Sequence, residues 1–315
     1  MPEWRPFDQG EIAQLSATVS PASGKHYGVE RVCAIFEQPR STFYARQRSV
    51  EQIGNEAAPT SRKRGPKTAI DDVELLDLIR ADLAASPFQG EGYRKVWARL
   101  RVQRDVRVSA KRVLRLMRQN QLLSPWRGRQ ATGPKHDGKI TTDAPSQMWG
   151  TDGTKIFTLE DGWVWLFTAI EHWNAECVGW HVAKIGSRYA ALEPISMALK
   201  NVYGAVTAKV AHGLALRMDH GTQYLSDHFL NQVRFWGIQP SFGFIQEPET
   251  NGVAERFNRT LKEQAIYGRV FRNLEEVRTA VATFVATYNE HWMIQKLGHR
   301  SPAQARRDLY MAIAA

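Results

Sequence analysis

The sequence has little of what marks several large classes of protein. It contains only two cysteines, Cys33 and Cys177, which lie far apart in apolar surroundings. We therefore expect two buried thiols in a reducing cytoplasm, and neither a disulfide nor a zinc site. No window approaches the roughly 18 uncharged apolar residues of a membrane span. The first residues, Met1 to Arg5, lack the basic and then apolar pattern of a secretory signal, so we expect no membrane partner.

Positive charge is in excess, and it is unevenly distributed. Residues 1–140 contain 25 lysines and arginines against 15 aspartates and glutamates, whereas the remaining residues contain 17 of each. A concentrated positive field favours a polyanionic partner, and nucleic acid is the usual one. A basic surface that serves only solubility is the alternative at this point.

Glycines, prolines and runs of basic residues mark the boundaries between segments of the chain. Two helical units come first, each followed by a basic stretch without apolar periodicity. A larger unit, whose residues are typical of β-strands, begins at Met148. The predicted segments are a short helix-turn-helix (1–48), a basic linker (49–68), a second helix-turn-helix unit (69–124), another basic linker (125–147), an α/β unit (148–305) and a tail (306–315).

The second helical unit carries a basic helix. Ser109 is placed to cap a helix that turns an apolar face inward and carries Lys111, Arg112 and Arg115 elsewhere on its surface. A capped basic helix preceded by a helix and a turn suits docking in a DNA groove. A solvated basic face on a plain helical bundle is the alternative.

Beyond Met148 the pattern predicts three consecutive strands with short connections, followed by alternating helices and strands. This order indicates an α/β fold, with a mixed sheet flanked by helices, preceded by all-α helix-turn-helix units.

Three acidic residues occupy positions that need an explanation. Asp152 lies within the first predicted strand, Asp219 ends a later apolar strand, and Glu255 stands at the front of a helix. An acid within an apolar strand costs several kcal/mol unless it is paired or binds a metal. Taken singly, Asp219 suits a turn and Glu255 suits a helix N-terminus. Together, they can bind a hard divalent cation.

The sequence around the three acids resembles one family. Asp219 and Glu255 are separated by 35 residues, and the runs Trp149-Gly-Thr-Asp152, Asp219-His-Gly-Thr-Gln-Tyr and Pro248-x-x-Asn251-Gly-x-x-Glu255 look like family motifs. Residues 148–305 resemble the integrase catalytic core of DDE transposases, which retroviral integrases share. The similarity is greatest to the second reading-frame protein of the insertion-sequence-three family, and it extends upstream over nearly the whole chain.

The resemblance implies a ribonuclease-H-like core and a transposase activity. Asp152, Asp219 and Glu255 would be the catalytic residues and would hold two Mg²⁺ or Mn²⁺ ions. These ions would support hydrolysis at an element end and then strand transfer by the freed 3′-hydroxyl. Six residues are expected to contact DNA: Asn251, Arg259, Lys262, Lys111, Arg112 and Arg115.

The expected partners are double-stranded DNA at element ends and targets, a second copy of the chain on that DNA, and a protein from an upstream reading frame. The expected location is the bacterial cytoplasm, at the nucleoid. Two other functions remain open: a catalytically silent DNA-binding protein derived from a mobile element, and a ribonuclease H or structure-specific nuclease.

The sequence departs from the family pattern at two places, and both affect the expected finer contacts with DNA. Glu171-His172 stands where the family usually has Asp, and the Arg-Pro-His that usually follows Tyr288-Asn289 is absent.

Overall fold

The structure, a computed structural model, describes residues 9–53, 69–124, 142–243 and 251–314. The chain divides into one unit of residues 1–67 and another of residues 68–315. Most of both predicted basic linkers, together with Pro248 in the third family motif, lies outside the described residues. No helix in the described part is long and apolar enough to cross a membrane.

The first unit is a small helical bundle. Its last two helices lie where the sequence predicts a helix pair, and an earlier helix that was not predicted precedes them. Ile12, Val32, Cys33 and Phe43 form its core. The helices are α1 (Gln9–Ala17), α2 (Val29–Ile35) and α3 (Arg40–Ile53).

The second unit begins with three helices around an apolar core. Asp71 caps the first, because its Oδ1 accepts from the backbone N–H groups of Val73 and Glu74, both at 2.8 Å. Ser109 caps the third as predicted, and its Oγ accepts from the backbone N–H of Arg112 at 3.2 Å. The helices are α4 (Asp72–Ala85), α5 (Tyr93–Gln103) and α6 (Ala110–Gln119).

The predicted mixed sheet is confirmed, in the order β3-β2-β1-β4-β5. The first three strands pair antiparallel, while β1, β4 and β5 run parallel. This is the strand arrangement of a ribonuclease-H-like fold. The edge strand β5 was not predicted. The strands are β1 (Met148–Thr158), β2 (Gly162–Glu171), β3 (Cys177–Ala183), β4 (Ala215–Met218) and β5 (Gln239–Phe242).

Helices cover both faces of the sheet, and two apolar clusters fill the space between them. One cluster joins the sheet to α7 and α9, and the other joins it to α10 and α11. The C-terminal residues that were predicted as a tail belong to helix α12. The helices are α7 (Arg188–Tyr203), α8 (Thr222–Leu225), α9 (Asp227–Phe235), α10 (Gly252–Leu261, extended by a π-helical turn, Lys262–Ile266), α11 (Leu274–His291) and α12 (Pro302–Ala314).

The α4–α6 helices pack against this core. The Phe88 ring lies edge-on to Trp292, with centroids 4.8 Å apart. The backbone N–H of Gln89 donates to Gln264 Oε1 at 2.9 Å, and Gln264 Nε2 donates back to the Gln89 carbonyl at 2.8 Å. Phe88 also joins the core cluster beneath α11, whereas the α4–α6 helices keep an apolar cluster of their own.

Candidate active site

The sheet brings two of the three predicted acids together. Strands β1 and β4 pair in parallel, with Gly150 opposite Arg217. Continuing this register by two residues sets Asp152 opposite Asp219, on strands separated by about 4.8 Å. Asp219 directly follows β4 and is exposed, and its Oδ1 accepts from the backbone N–H of Gly221 at 3.0 Å.

Asp152 accepts more hydrogen bonds from the described residues than Asp219 does. Its Oδ1 accepts from the backbone N–H of Gly153 at 2.8 Å, and its Oδ2 accepts from Asn258 Nδ2 at 2.9 Å. Burial raises the pKa of Asp152, and the charge of Asp219 raises it further. Hydrogen bonds from Asn258 and Gly153 and the charge of Lys262 act in the opposite direction. Two carboxylates in this position favour a cation, which relieves their repulsion.

Glu255 approaches this pair from a helix. It lies in the first turn of α10 and is exposed. Residues three apart share a helix face, so Glu255 lies on the same side of α10 as Asn258, which bonds to Asp152. Among the described residues, no three His, Cys, Asp or Glu side chains are grouped to hold a metal ion. The structure therefore brings Asp152 and Asp219 together and leaves Glu255 outside their cluster.

The two predicted phosphate contacts on α10 and its extension differ in their surroundings. Lys262 is near enough to Asp152 for its charge to oppose the rise in the pKa of that carboxyl group. Arg259 is exposed, and its Nε donates to Glu263 Oε1 at 3.1 Å. Because the Arg259 end of this pair is exposed, whereas the Glu263 side chain is 13% exposed, the guanidinium can also reach a phosphate from the solvent side.

The basic residues of α6 also differ in burial and in hydrogen-bond partners. Lys111 is exposed. Arg112 is mostly buried, and it donates to Asp72 Oδ1 and to the Ile70 carbonyl, both at 2.8 Å. Arg115 donates to Asp72 Oδ2 at 2.7 Å. One carboxylate therefore holds two of the three predicted DNA contacts of this helix.

Asn251 has a buried position that the sequence did not reveal. It is 4% exposed, and its Nδ2 donates to the Thr151 carbonyl at 2.8 Å. Asn258 was missed as a site residue altogether. The available signal was its position three residues after Glu255, which places both residues on one helix face.

Glu171, where the family usually has Asp, is a buried acceptor. Its carboxylate accepts from the backbone N–H groups of Ser146 and Trp173 and from Trp149 Nε1, at 2.7, 3.1 and 3.0 Å. These bonds fix the start of β1 to the end of β2. The departure from the family pattern thus preserves a carboxylate with a structural role.

Comparison with known proteins identifies domains over most of this unit. Residues 142–248 and 236–302 match the integrase core domain, and residues 71–130 match an HTH-like domain. The chain is 26% identical to the transposase for insertion sequence element IS629 of Shigella sonnei over 92% of this chain and 95% of that protein. It is 29% identical to transposase InsD for insertion element IS2A/D/F/H/I/K of Escherichia coli, over 75% and 79% respectively.

Solved structures also resemble the chain. A simian T-cell lymphotropic virus intasome in complex with PP2A regulatory subunit B56 gamma is 15% identical over 68% of this chain and 70% of that chain, with a TM-score of 0.44. The HTLV-2 integrase catalytic core domain in complex with magnesium, in its trimeric form, is 16% identical over 51% and 96% respectively, with a TM-score of 0.39.

Proposed function

We propose that this chain, a member of the integrase-core family of insertion-sequence transposases, cleaves DNA at the ends of its element and transfers the freed strand to a target. The observation that carries the proposal is the parallel pairing of β1 with β4, which sets Asp152 opposite Asp219. The bond from Asn258 to Asp152 brings the helix of Glu255 to the same place.

The three acids are proposed to hold two Mg²⁺ or Mn²⁺ ions. The fit rests on the donor set, which is all oxygen, and on the raised pKa of Asp152 beside a second carboxylate. Bound there, such ions activate a water or a 3′-hydroxyl and stabilise the leaving oxygen of a phosphodiester. Asp152 and Asp219 supply the rigid ligands from the sheet, and Glu255 completes the set from α10.

The remaining residues position DNA and carboxylates. Asn258 orients Asp152 through its amide. Lys262 and Arg259 are placed to meet phosphate beside the acids. Lys111, with Arg115, is proposed to meet DNA from α6. Arg115 also bonds to Asp72 but its side chain is 45% exposed, whereas Asn251 and Arg112 are both bonded and mostly buried, which removes support for a direct DNA contact by either of these two.

The proposed substrate also defines the partners. Joining two element ends to one target requires more than one active site, so we propose that the chain acts as a homo-oligomer on double-stranded DNA. A protein from an upstream reading frame is a further proposed partner. The proposed location is the nucleoid, because the substrate is there.

The test replaces each acid by its amide: Asp152→Asn, Asp219→Asn and Glu255→Gln. The amide keeps the size of the carboxylate and removes its charge, so folding and DNA binding should survive while cleavage and joining of labelled element ends are abolished. Glu193→Gln is the matched control, because Glu193 is an exposed acid on α7.

The same assay separates the alternatives. Binding of element ends by the wild-type protein without cleavage would favour a silent DNA-binding protein, and cutting of RNA–DNA hybrids alone would favour a ribonuclease H. Normal cleavage by Glu255→Gln would remove Glu255 from the proposed ligand set.

A further inference from the structure

Asn251 stands directly before α10 but does not cap that helix. Asparagine is a preferred N-cap residue, yet its side chain makes no cap hydrogen bond here. Its amide nitrogen instead donates to the Thr151 carbonyl on β1, next to Asp152. The other amide atom, Oδ1, is buried and has no hydrogen-bond partner within the described part of the chain. A buried acceptor without a partner destabilises the folded protein.

His172 presents a second set of buried polar atoms. It follows β2 directly and is 4% exposed, and neither ring nitrogen has a hydrogen-bond partner among the described residues. Its main chain is fixed at both ends: its N–H donates to the Met148 carbonyl at 3.0 Å, and its carbonyl accepts from Lys296 Nζ at 2.8 Å. The backbone of His172 is therefore fixed, while its buried ring has no hydrogen bond to any described residue.

The His172 ring is neutral near pH 7. Burial, together with the charges of Lys296 and Arg217, lowers the pKa of His172 to about 4. A neutral imidazole carries a proton on one nitrogen only. The tautomer with the proton on Nε2 makes that atom a donor, which complements the acceptor Oδ1 of Asn251.

Gly150 allows these two atoms to face the same space. A Cβ at position 150 would lie 2.9 Å from Asn251 Oδ1 and 3.0 Å from His172 Nε2. Both atoms therefore border the small volume above Gly150, and a small rotation of the side chains or one bridging water completes a hydrogen bond between them. Any larger residue at position 150 would fill this volume.

We propose that His172 is a positioning residue of the active site, which acts through Asn251 to hold the start of α10 against strand β1. In this link the Nε2–H reaches Asn251 Oδ1 after that small rotation or through one water, and Asn251 Nδ2 donates to the Thr151 carbonyl. The connection thus links the first turn of α10, with Glu255, to the strand that carries Asp152. The inference rests on the proposed function, because the link matters only if Glu255 and Asp152 act together in the active site.

The link matters because three carboxylates must meet within a few tenths of an ångström to share metal ions. Asp152 and Asp219 are fixed by strand pairing, whereas Glu255 depends on where α10 begins. We expect loss of the link to slow cleavage by about 10–100-fold, the usual effect of removing a group that orients a metal ligand. DNA affinity should be nearly unchanged, because His172 is buried.

The experiment compares His172→Leu with His172→Gln in the full chain. Leucine keeps the bulk but cannot donate, whereas the glutamine amide places a donor near the position of Nε2. We measure the single-turnover cleavage rate of labelled element ends, their affinity in a gel shift, and the melting temperature. His172→Leu should cleave slowly and bind normally, and His172→Gln should recover most of the rate. His181→Leu, on β3, is the control and should cleave at the wild-type rate.

A double-mutant cycle tests the partner. His172→Leu and Asn251→Leu should each lower the melting temperature, and the double variant should fall by less than the two shifts added. Full cleavage by His172→Leu, equal defects in the Leu and Gln variants, or additive melting shifts would overturn the proposal. The cycle needs no activity, so it reports on the link even if the wild-type protein cleaves nothing, a result that would count against the proposed function alone.

Discussion

Replacing Asn258 by leucine removes a side-chain donor to Asp152. Asn258 is 5% exposed, its Nδ2 donates to Asp152 Oδ2 at 2.9 Å, and its Oδ1 accepts from the Thr168 hydroxyl at 3.2 Å. Leucine has a similar shape and no polar atoms. The substitution therefore leaves Oδ2 of Asp152 without its donor while keeping most of the packing.

A hydrogen bond to a charged group contributes about 1.5–3 kcal/mol. If that energy holds Asp152 in its ligand geometry, its loss lowers metal affinity by about one to two orders of magnitude, since each 1.4 kcal/mol is a factor of ten. The same range applies to groups that orient metal ligands in general. The bond also favours the ionised carboxylate, so its removal strengthens the competition of protons with metal.

The assay is a Mg²⁺ titration of the cleavage rate at saturating DNA. For Asn258→Leu we expect the half-saturating Mg²⁺ concentration to rise about 10–100-fold, with much of the rate restored at high Mg²⁺. Asn201→Leu is the matched control, because the Asn201 amide donates to the Val178 carbonyl at 3.0 Å, far from the acids. An unchanged half-saturation in Asn258→Leu, or an equal change in Asn201→Leu, would refute the reasoning.

Three further predictions concern stability and metal. At 100 times its dissociation constant, Mg²⁺ should stabilise the protein by about 2.7 kcal/mol, or about 5–10 °C in melting temperature for a domain of this size; Asp152→Asn should lose this shift, and Ca²⁺ should support DNA binding without cleavage. Because the pKa of Asp152 is raised above the ordinary value of 3.8, this carboxyl group should add stability to the metal-free protein as the pH falls through the raised pKa, and the melting temperature of Asp152→Asn should lack that part of the pH dependence. Gly179→Ala should destabilise the fold strongly in urea denaturation, since its Cβ would overlap the Pro194 carbonyl oxygen. Gly252→Ala, with open space around it, should be nearly neutral or slightly stabilising.

Local pattern was sufficient to predict most of the sheet and its acids. The pattern predicts a helix over 188–203, which has these bounds in the structure, and strands over 149–159, 162–170 and 176–183, whose ends differ from the structure by one residue at most. Alternation and capping are properties of neighbouring residues, so they can be read from the chain. The edge strand β5 was not predicted, because Pro240 interrupts its strand pattern. Proline is compatible with a strand mainly at a sheet edge.

Contacts between distant residues could not be predicted in this way. Arg112 fits a DNA-binding helix by sequence, yet Asp72, 40 residues earlier, binds its guanidinium. Asn251 fits a DNA contact by its motif, yet its amide donates to Thr151, 100 residues earlier. In each case the residue type was read correctly as polar and directional. Its partner became known only when the fold brought the two segments together.

Contacts between distant residues also join the predicted segments 69–124 and 148–305. Lys95 on α5 places its Nζ 2.6 Å from the ring centroid of Trp292, which follows α11 directly, and Trp97 lies edge-on to His299. A buried cation over an indole and interlocked aromatic rings resist sliding, because each displacement exposes a charge or opens a cavity. Helix α6 therefore keeps a fixed position relative to the carboxylates of the sheet. DNA held by Lys111 would meet the acids at a distance that the protein sets, and a flexible linker would not allow this.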